Sequence, residues 1–185
     1  MKKIRITLII AILGYSTING QEDTFGLSAG YGSLTTELKI SYDGNSESTS
    51  DSAGGFYIGL FKEFYINEKL AIRPEFQYAM YNSDGDNSSV FLLPVMLKFK
   101  IVNSLYVSTG PQFDYLLEND VSADEINKFG LGLAFGTEVD LTKKLFINLR
   151  YSFGVSERLK NDDILEPIKI DARFDTFNLG LGYHF

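Results

Sequence analysis

Phe177-Asn178-Leu179-Gly180-Leu181-Gly182-Tyr183-His184-Phe185 alternates without a break to the end of the chain. Phe177, Leu179, Leu181, Tyr183 and Phe185 fall on one side; Asn178, Gly180, Gly182 and His184 fall on the other. A period of two is that of a β-strand, whose successive side chains point to opposite faces. One face here is large and apolar, the other small or polar. Working back from this strand, the same alternation recurs between turn signals. It gives eight candidate strands, near 24–40, 55–66, 70–82, 89–101, 105–117, 128–141, 145–156 and 172–185.

The two faces of these strands differ in a telling way. Over 128–141, Phe129, Leu131, Leu133, Phe135, Val139 and Leu141 oppose Gly130, Gly132, Ala134, Gly136, Glu138 and Asp140. Over 145–156, Leu145, Ile147, Leu149, Tyr151, Phe153 and Val155 oppose a face that includes Asn148, Arg150, Ser152 and Gly154. Phe91, Leu93, Val95, Leu97, Phe99 and Ile101 stand against Lys98 and Lys100, and Ile72, Pro74, Phe76, Tyr78 and Met80 against Arg73, Glu75 and Gln77. A soluble barrel of the lipocalin kind puts such apolar groups inside and charges outside. Here the apolar faces are long enough to cover the ~25 Å band of a membrane barrel. The opposite faces, rich in glycine and in charges of both signs, suit a crowded interior better than a solvated surface. The expected fold is all-β: an eight-stranded antiparallel up-and-down transmembrane β-barrel. Lys62 alone breaks the outer face of 55–66, and its position near the Asn67 turn lets the ammonium snorkel toward headgroups.

The connectors fall into two classes. Asn67–Lys69, Val102–Ser104 and Thr142–Lys144 are very short, whereas Ser41–Gly54, Ser83–Ser88, Glu118–Asn127 and Glu157–Asp171 are longer and polar. They alternate along the chain, so an antiparallel meander collects the long ones at one end. Outer-membrane barrels place short turns in the periplasm and longer loops outside, which predicts periplasmic termini.

The other end of the chain agrees. Lys2, Lys3 and Arg5 precede an apolar run from Ile6 to Leu13, and small or polar residues lead to Gly20. This is the layout of a signal peptide, expected to cover 1–20 with cleavage before Gln21, leaving 21–185 as the barrel domain. There is no cysteine, which removes disulfides, thiolate metal sites and a lipid-anchored cysteine from consideration. The net charge is −7, and loss of the three basic leader residues takes it to −10. So acidic a chain is not a nucleic-acid binder.

The runs Leu92-Leu93-Pro94-Val95-Met96-Leu97-Lys98-Phe99 and Leu105-Tyr106-Val107-Ser108-Thr109-Gly110-Pro111-Gln112-Phe113 resemble the PorT-like outer-membrane β-barrel family. Arg73-Pro74-Glu75-Phe76 and Leu149-Arg150-Tyr151-Ser152 are similar to its other landmarks. The resemblance spans roughly residues 21–185 and implies a small barrel of the Bacteroidetes outer membrane. One member of that family is tied to a protein-secretion system, but no residue of this chain matches a motif that would carry the role over.

The sequence offers little chemistry. His184 is the single histidine and falls on the inward face beside the terminus, where Asp140 and Glu63 are conceivable acidic partners across the lumen. A hydrogen-bonded interior residue is the simpler reading than a catalytic one. Gly130-Leu131-Gly132 and Gly180-Leu181-Gly182 lie within strands, where glycine makes room for inward neighbours rather than for phosphate. Asp84-Gly85-Asp86-Asn87 has the start of a calcium loop without its later bidentate Glu. The expectation is therefore a non-enzyme with no catalytic, cofactor-binding or metal residues and no cofactor.

The inward charges carry more weight. Arg73, Lys98, Lys100 and Arg150 face Glu63, Glu75, Asp114, Glu138 and Asp140. An eight-stranded barrel is barely wide enough for its own side chains, so these charges must pair and plug the lumen. Counting from the Thr142–Lys144 turn makes Glu138 the diagonal neighbour of Arg150. The connectors are acidic: Asp43, Glu47 and Asp51; Asp84 and Asp86; Glu118, Asp120, Asp124 and Glu125; and Glu157, Asp162, Asp163, Glu166 and Asp171 against Arg158, Lys160 and Lys169. The expected role is structural, or adhesive through these loops. The expected partners are outer-membrane lipid, lipopolysaccharide bridged by divalent cations, and a protein at the loops, for a monomeric barrel. The alternatives are a narrow small-solute channel or a secretion-apparatus component, followed by an outer-leaflet lipid enzyme or a soluble exported ligand-binding barrel.

Overall fold

Alternation of large apolar with small or charged residues gives each strand one face for an apolar medium and one for its neighbours across a ring. The computed structural model, which describes residues 23–42, 45–83, 86–117, 126–159 and 168–185, shows that ring. Its strands are β1 (Thr24–Tyr42), β2 (Asn45–Asn67), β3 (Leu70–Ser83), β4 (Asp86–Val102), β5 (Leu105–Leu116), β6 (Phe129–Asp140), β7 (Leu145–Gly154) and β8 (Ile168–His184). Each pairs antiparallel with the next, and β8 returns to β1 through a ladder from Gly26↔His184 to Tyr42↔Ile168. The barrel is closed, as the alternation predicts. The proposed leader, 1–20, lies outside the described residues.

The faces are also as expected. Leu133, Phe135, Leu149, Phe153, Leu179 and Leu181 are exposed on the outside, while Glu138, Arg150, Ser152 and Asn178 are buried inside. Exposed aromatics run the height of this apolar surface, with Phe76 and Phe135 at mid-strand. Phe25, Phe99, Tyr183 and Phe185 lie near the chain termini, and Tyr31, Phe56, Tyr115, Phe129 and Phe153 nearer the opposite rim. Lys62 keeps its place on the outer face, but does not stand alone. Its Nζ is 3.1 Å from Asp23 Oδ2 and 4.6 Å from the centre of the Phe64 ring.

Strand lengths depart from expectation at the opposite rim. Ser41–Gly54, read as a loop, is mostly ladder: β1 continues to Tyr42 and β2 begins at Asn45, paired without a register break. Ser83–Ser88 shrinks likewise, since Ser83 pairs with Asp86. Asn45–Ser52 and Ser83–Ser88 are polar on both faces, so no hydrophobic period marks the strand there. The backbone ladder forms nonetheless, because its bonds do not depend on side-chain polarity. β8 starts at Ile168, earlier than expected. Most of Glu118–Asn127, and the 160–167 part of the last connector, lie outside the described residues; Asp84 and Gly85 do too. Ile126 bridges Leu159, tying the flanks of the two longest connectors together.

Glycines on the inward face make room for rings. A Cβ on Gly182 would stand 1.9 Å from an atom of the Phe146 ring, and one on Gly132 would stand 2.5 Å from Ser152 Oγ. Leu133→Arg, mid-strand on the outer face, is expected to cost about 2–4 kcal/mol in a bilayer. Gly182→Leu is expected to cost about 1–3 kcal/mol by displacing the Phe146 ring, with little effect from Leu181→Val beside it. Refolding titrations into lipid vesicles measure all three. Tolerance of Leu133→Arg equal to that of Leu181→Val would reverse the assignment of the faces.

Candidate functional site: the barrel interior

The inward positions bring together charges that the sequence scatters over the chain. Nearest the termini, His184 is half-buried with its ring centre 4.8 Å from that of Phe146 and 5.3 Å from that of Phe61. Beyond it lie Glu63 from β2, Arg73 from β3, Lys98 from β4 and Glu138 from β6, all buried. Lys98 Nζ donates to Glu63 Oε1 at 2.7 Å and to Glu138 Oε1 at 2.5 Å. Arg73 Nη1 donates to Glu138 Oε2, and its Nε is 3.3 Å from Glu63 Oε1. The guanidinium also sits over the Phe61 and Phe146 rings, at 4.0 and 4.6 Å from their centres. Two carboxylates thus alternate with two cations around a ring, and each charge touches two of opposite sign.

Further along the axis a second set forms. Arg150 Nη2 donates to Glu75 Oε2 at 2.8 Å, and the same carboxylate accepts from Ser28 Oγ and, at 2.9 Å, from Gln77 Nε2. Neutral bonds then cross the interior: Tyr57 Oη to Asn148 Oδ1 at 3.2 Å, Asn178 Nδ2 to Gln77 Oε1 at 3.1 Å, and Gln112 Nε2 to Thr176 Oγ1 at 2.9 Å. Toward the opposite rim the interior turns apolar, with Leu34, Tyr81, Val90, Leu92 and Leu116 packed together and Phe174 against them. Arg158 closes the series. It is buried, donates to Asp114 Oδ1, and lies 4.4 Å from the centre of the Phe174 ring.

Most of the predicted inward charges therefore meet a partner, with one change. Arg150 does not pair with Glu138. The register is as counted, Gly136↔Arg150, but the guanidinium reaches across the lumen to Glu75, while Glu138 serves Arg73 and Lys98. Facing walls of a narrow barrel are as close as diagonal neighbours on one wall, and only the folded geometry selects between them. Lys100 is half-buried at the terminal end and, with Lys69, Lys98, Tyr65 and Tyr106, lines a recess of about 300 Å³. Asp140 is half-buried at the same end. By sequence Arg158 falls in a loop, because it lies past the last alternating position of β7. A lone arginine just beyond a strand end is the signal that could have found it.

The chemistry open to this interior is limited by its own pairing. Glu63, Glu138 and His184 offer ligand atoms within 4.8 Å of one another, so Glu63 lies beside His184 as the sequence suggests, with Glu138 where the sequence offers Asp140. The two carboxylates already carry Arg73 and Lys98, so a cation entering there would meet two fixed positive charges. A cavity of about 20 Å³ lies among Arg73, Glu75, Lys98, Ser108 and Arg150, enough for a water molecule and little more. Gly130-Leu131-Gly132 and Gly180-Leu181-Gly182 lie inside β6 and β8, where phosphate-binding loops do not form.

No curated protein sequence matches the chain. Among solved structures, it is similar to outer membrane protein AlkL in DMPC bilayers, at 11% identity over 92% of this chain and 94% of that one, with a TM-score of 0.52. OprG from Pseudomonas aeruginosa is 14% identical over 90% of this chain and 98% of its own, with a TM-score of 0.48. Ail of Yersinia pestis is 16% identical over 89% of this chain and 100% of its own, with a TM-score of 0.46. At such identities the likeness is one of fold. The family model described as outer membrane protein beta-barrel domain matches residues 19–159, from the segment before β1 to just past β7. With an apolar exterior, a charge-paired interior and a closed eight-stranded ring, the chain belongs to the outer membrane protein beta-barrel domain family and resides in the outer membrane.

Proposed function

We propose that this barrel is a non-conducting, non-enzymatic scaffold of the outer membrane that acts through its opposite rim, the end away from the termini. The observation that carries this reading is the set of buried ion pairs and amide bonds linking opposite walls of the lumen. Arg73 with Glu138, Arg150 with Glu75, and Asn178 with Gln77 each join strands that are not neighbours in the ring. A solute crossing the barrel has to break several at once, leaving buried charges unpaired at several kcal/mol each. The apolar layer of Leu34, Tyr81, Leu92 and Leu116 supports the same reading at the far rim.

The tight turns Glu68–Lys69, Asn103–Ser104 and Leu141–Lys144 mark the periplasmic end with both termini, and the long hairpin and long connectors face outward. Among the described residues that end carries Glu37, Glu47, Asp51, Glu157, Asp171 and Asp175 against Lys39, Lys128, Arg158 and Arg173, a small acidic excess. It suits a protein partner, or lipopolysaccharide through divalent cations. The barrel functions as a monomer. The runs Leu92–Phe99 and Leu105–Phe113 support placing it in the PorT-like branch of small barrels.

Two measurements test the closed interior. In planar bilayers the protein is expected to give no discrete conductance steps, and regular ohmic steps would establish a channel instead. In unfolding titrations, Glu75→Gln alone is expected to cost about 3–5 kcal/mol by stranding Arg150, with Glu75→Gln/Arg150→Met recovering part of the loss. The cycle between Arg150 and Glu138 is expected to show little coupling. Coupling of Arg150 to Glu138 and not to Glu75 would contradict the arrangement of the charges.

A further inference from the structure

Past the opposite rim the ring stops being a ring. β1 and β2 pair out to Tyr42↔Asn45, and β8 pairs with β1 out to Tyr42↔Ile168. β3 meets β2 only from Gly54↔Asn82 downward. A three-stranded sheet in the order β2-β1-β8 therefore stands above the barrel, and among the described residues β2 is its edge over Asn45–Ala53. Two bonds fix which backbone groups face that open edge. Ser52 N–H donates at 2.9 Å to the carboxylate of Asp51, rather than to Thr35 opposite it. The Ala172 carbonyl accepts from Arg158 N–H at 2.9 Å, away from its partner Leu38, so Leu38 spends its own bonds on Thr49 of β2. Both observations give one parity. Glu47, Thr49 and Asp51 are bonded to β1, whereas Ser46, Ser48 and Ser50 turn N–H and C=O to the open edge and Ser52, its N–H held by Asp51, turns only its C=O, a row about 20 Å long.

Edges of this kind are normally guarded by lysine, proline or a bulge. This one has none: Asn45–Ala53 contains no lysine or proline, its ladder to β1 has no register shift, and Asn45–Ser52 are all exposed. Its charges are both negative, Glu47 and Asp51, on one face of the strand. Pairing with a second copy centred on Thr49 sets Glu47 against Asp51, and centring on Ser48 or Ser50 leaves them diagonal. Like charges so placed oppose the pairing. A partner with cations at alternate positions meets both carboxylates favourably.

We infer that Asn45–Ala53 is a strand-addition site that takes an extended segment of another protein bearing Lys or Arg at alternate positions, bonded to the backbone of Ser46, Ser48, Ser50 and Ser52. This rests on the reading of the outward rim as the recognition surface, and stands or falls separately from the closed lumen, which conductance tests. Strand addition supplies affinity through main-chain bonds and selectivity through alternate side chains.

The probe is a synthetic nine-residue peptide alternating Thr and Lys, with a Thr/Glu peptide as control, added to the full barrel in lipid nanodiscs. Amide exchange is followed by NMR. Without peptide, the amides of Glu47, Thr49 and Asp51 are expected to exchange at least about tenfold more slowly than those of Ser46, Ser48 and Ser50. The Thr/Lys peptide at saturation is expected to slow the serine amides by about tenfold, and the Thr/Glu peptide to leave them unchanged. Ser48→Pro removes an edge donor without touching the β1 ladder and is expected to abolish binding with the barrel intact, while Glu47→Lys/Asp51→Lys is expected to reverse the peptide preference. Four results overturn the site: serine amides already protected in the free protein, no protection by the Thr/Lys peptide, equal binding to Ser48→Pro, or serine protection that appears with barrel concentration alone and so reports a second copy.

Discussion

In the hydrocarbon of a bilayer a backbone N–H or C=O without a partner costs several kcal/mol, and no water is present to supply one. Everything else in this molecule follows from that constraint. A sheet meets it only by closing, and closure in this chain is the ladder of β8 on β1. Closure then forces a division of side chains. With a period of two, every outward residue has inward neighbours, so a strand greasy enough for lipid on one face must spend its small and ionic residues on the other. The lumen of eight strands is narrow, and whatever points inward must fit and must be paired. The glycines facing Phe146 and Ser152 answer the first demand. The alternating carboxylates and cations answer the second.

The arrangement of those charges shows why they are tolerable at all. Glu63, Arg73, Glu138 and Lys98 form a neutral group of four, Glu75 with Arg150 and Asp114 with Arg158 neutral groups of two. Neutrality is achieved locally, layer by layer, and not only over the whole lumen. Glu63, Glu75 and Glu138 are bonded to bases on other strands, and Asp114 to Arg158 of a connector, so the groups act as ties between walls as well as counter-ions. A pair between β3 and β6, or β3 and β7, constrains the cross-section of the barrel in a way that the ladders, which run around it, do not. The stacking of Arg73 over Phe61 and Phe146 lowers the cost of holding a guanidinium away from water.

How far the sequence disclosed this depends on which physical signal each feature leaves. Strand identity and in/out parity were legible because they rest on hydrophobic period alone, and Leu133, Arg150 and Asn178 lie where that period puts them. The register between neighbours joined by a tight turn was legible by counting, as with Gly136↔Arg150. Contacts across the lumen were not, since they depend on tilt and stagger, which no local pattern records. Hence Arg150 found Glu75 and not Glu138. The long first hairpin was invisible for a different reason. Asn45–Ser52 has no apolar face, and a strand that touches neither lipid nor core leaves no alternation to read. Arg158 escaped because it belongs to the interior by side chain and to a connector by backbone.

The same closure that hides every edge within the bilayer cannot hide one beyond it. A barrel whose strands end at different heights must expose the excess of the longer ones, and here β1, β2 and β8 outrun β3 and β7. The chain could have trimmed that excess or covered it with lysine or proline. Instead it continues β2 as a run of serines with their backbone groups turned out, and places Glu47 and Asp51 where two such edges would repel each other. Acidic residues of this kind discourage self-association without blocking the backbone, so the edge remains usable by a partner of opposite charge. A guard that acts through electrostatics rather than through the ladder itself is selective: it excludes the copy of the chain that is always present nearby and leaves room for one that is not.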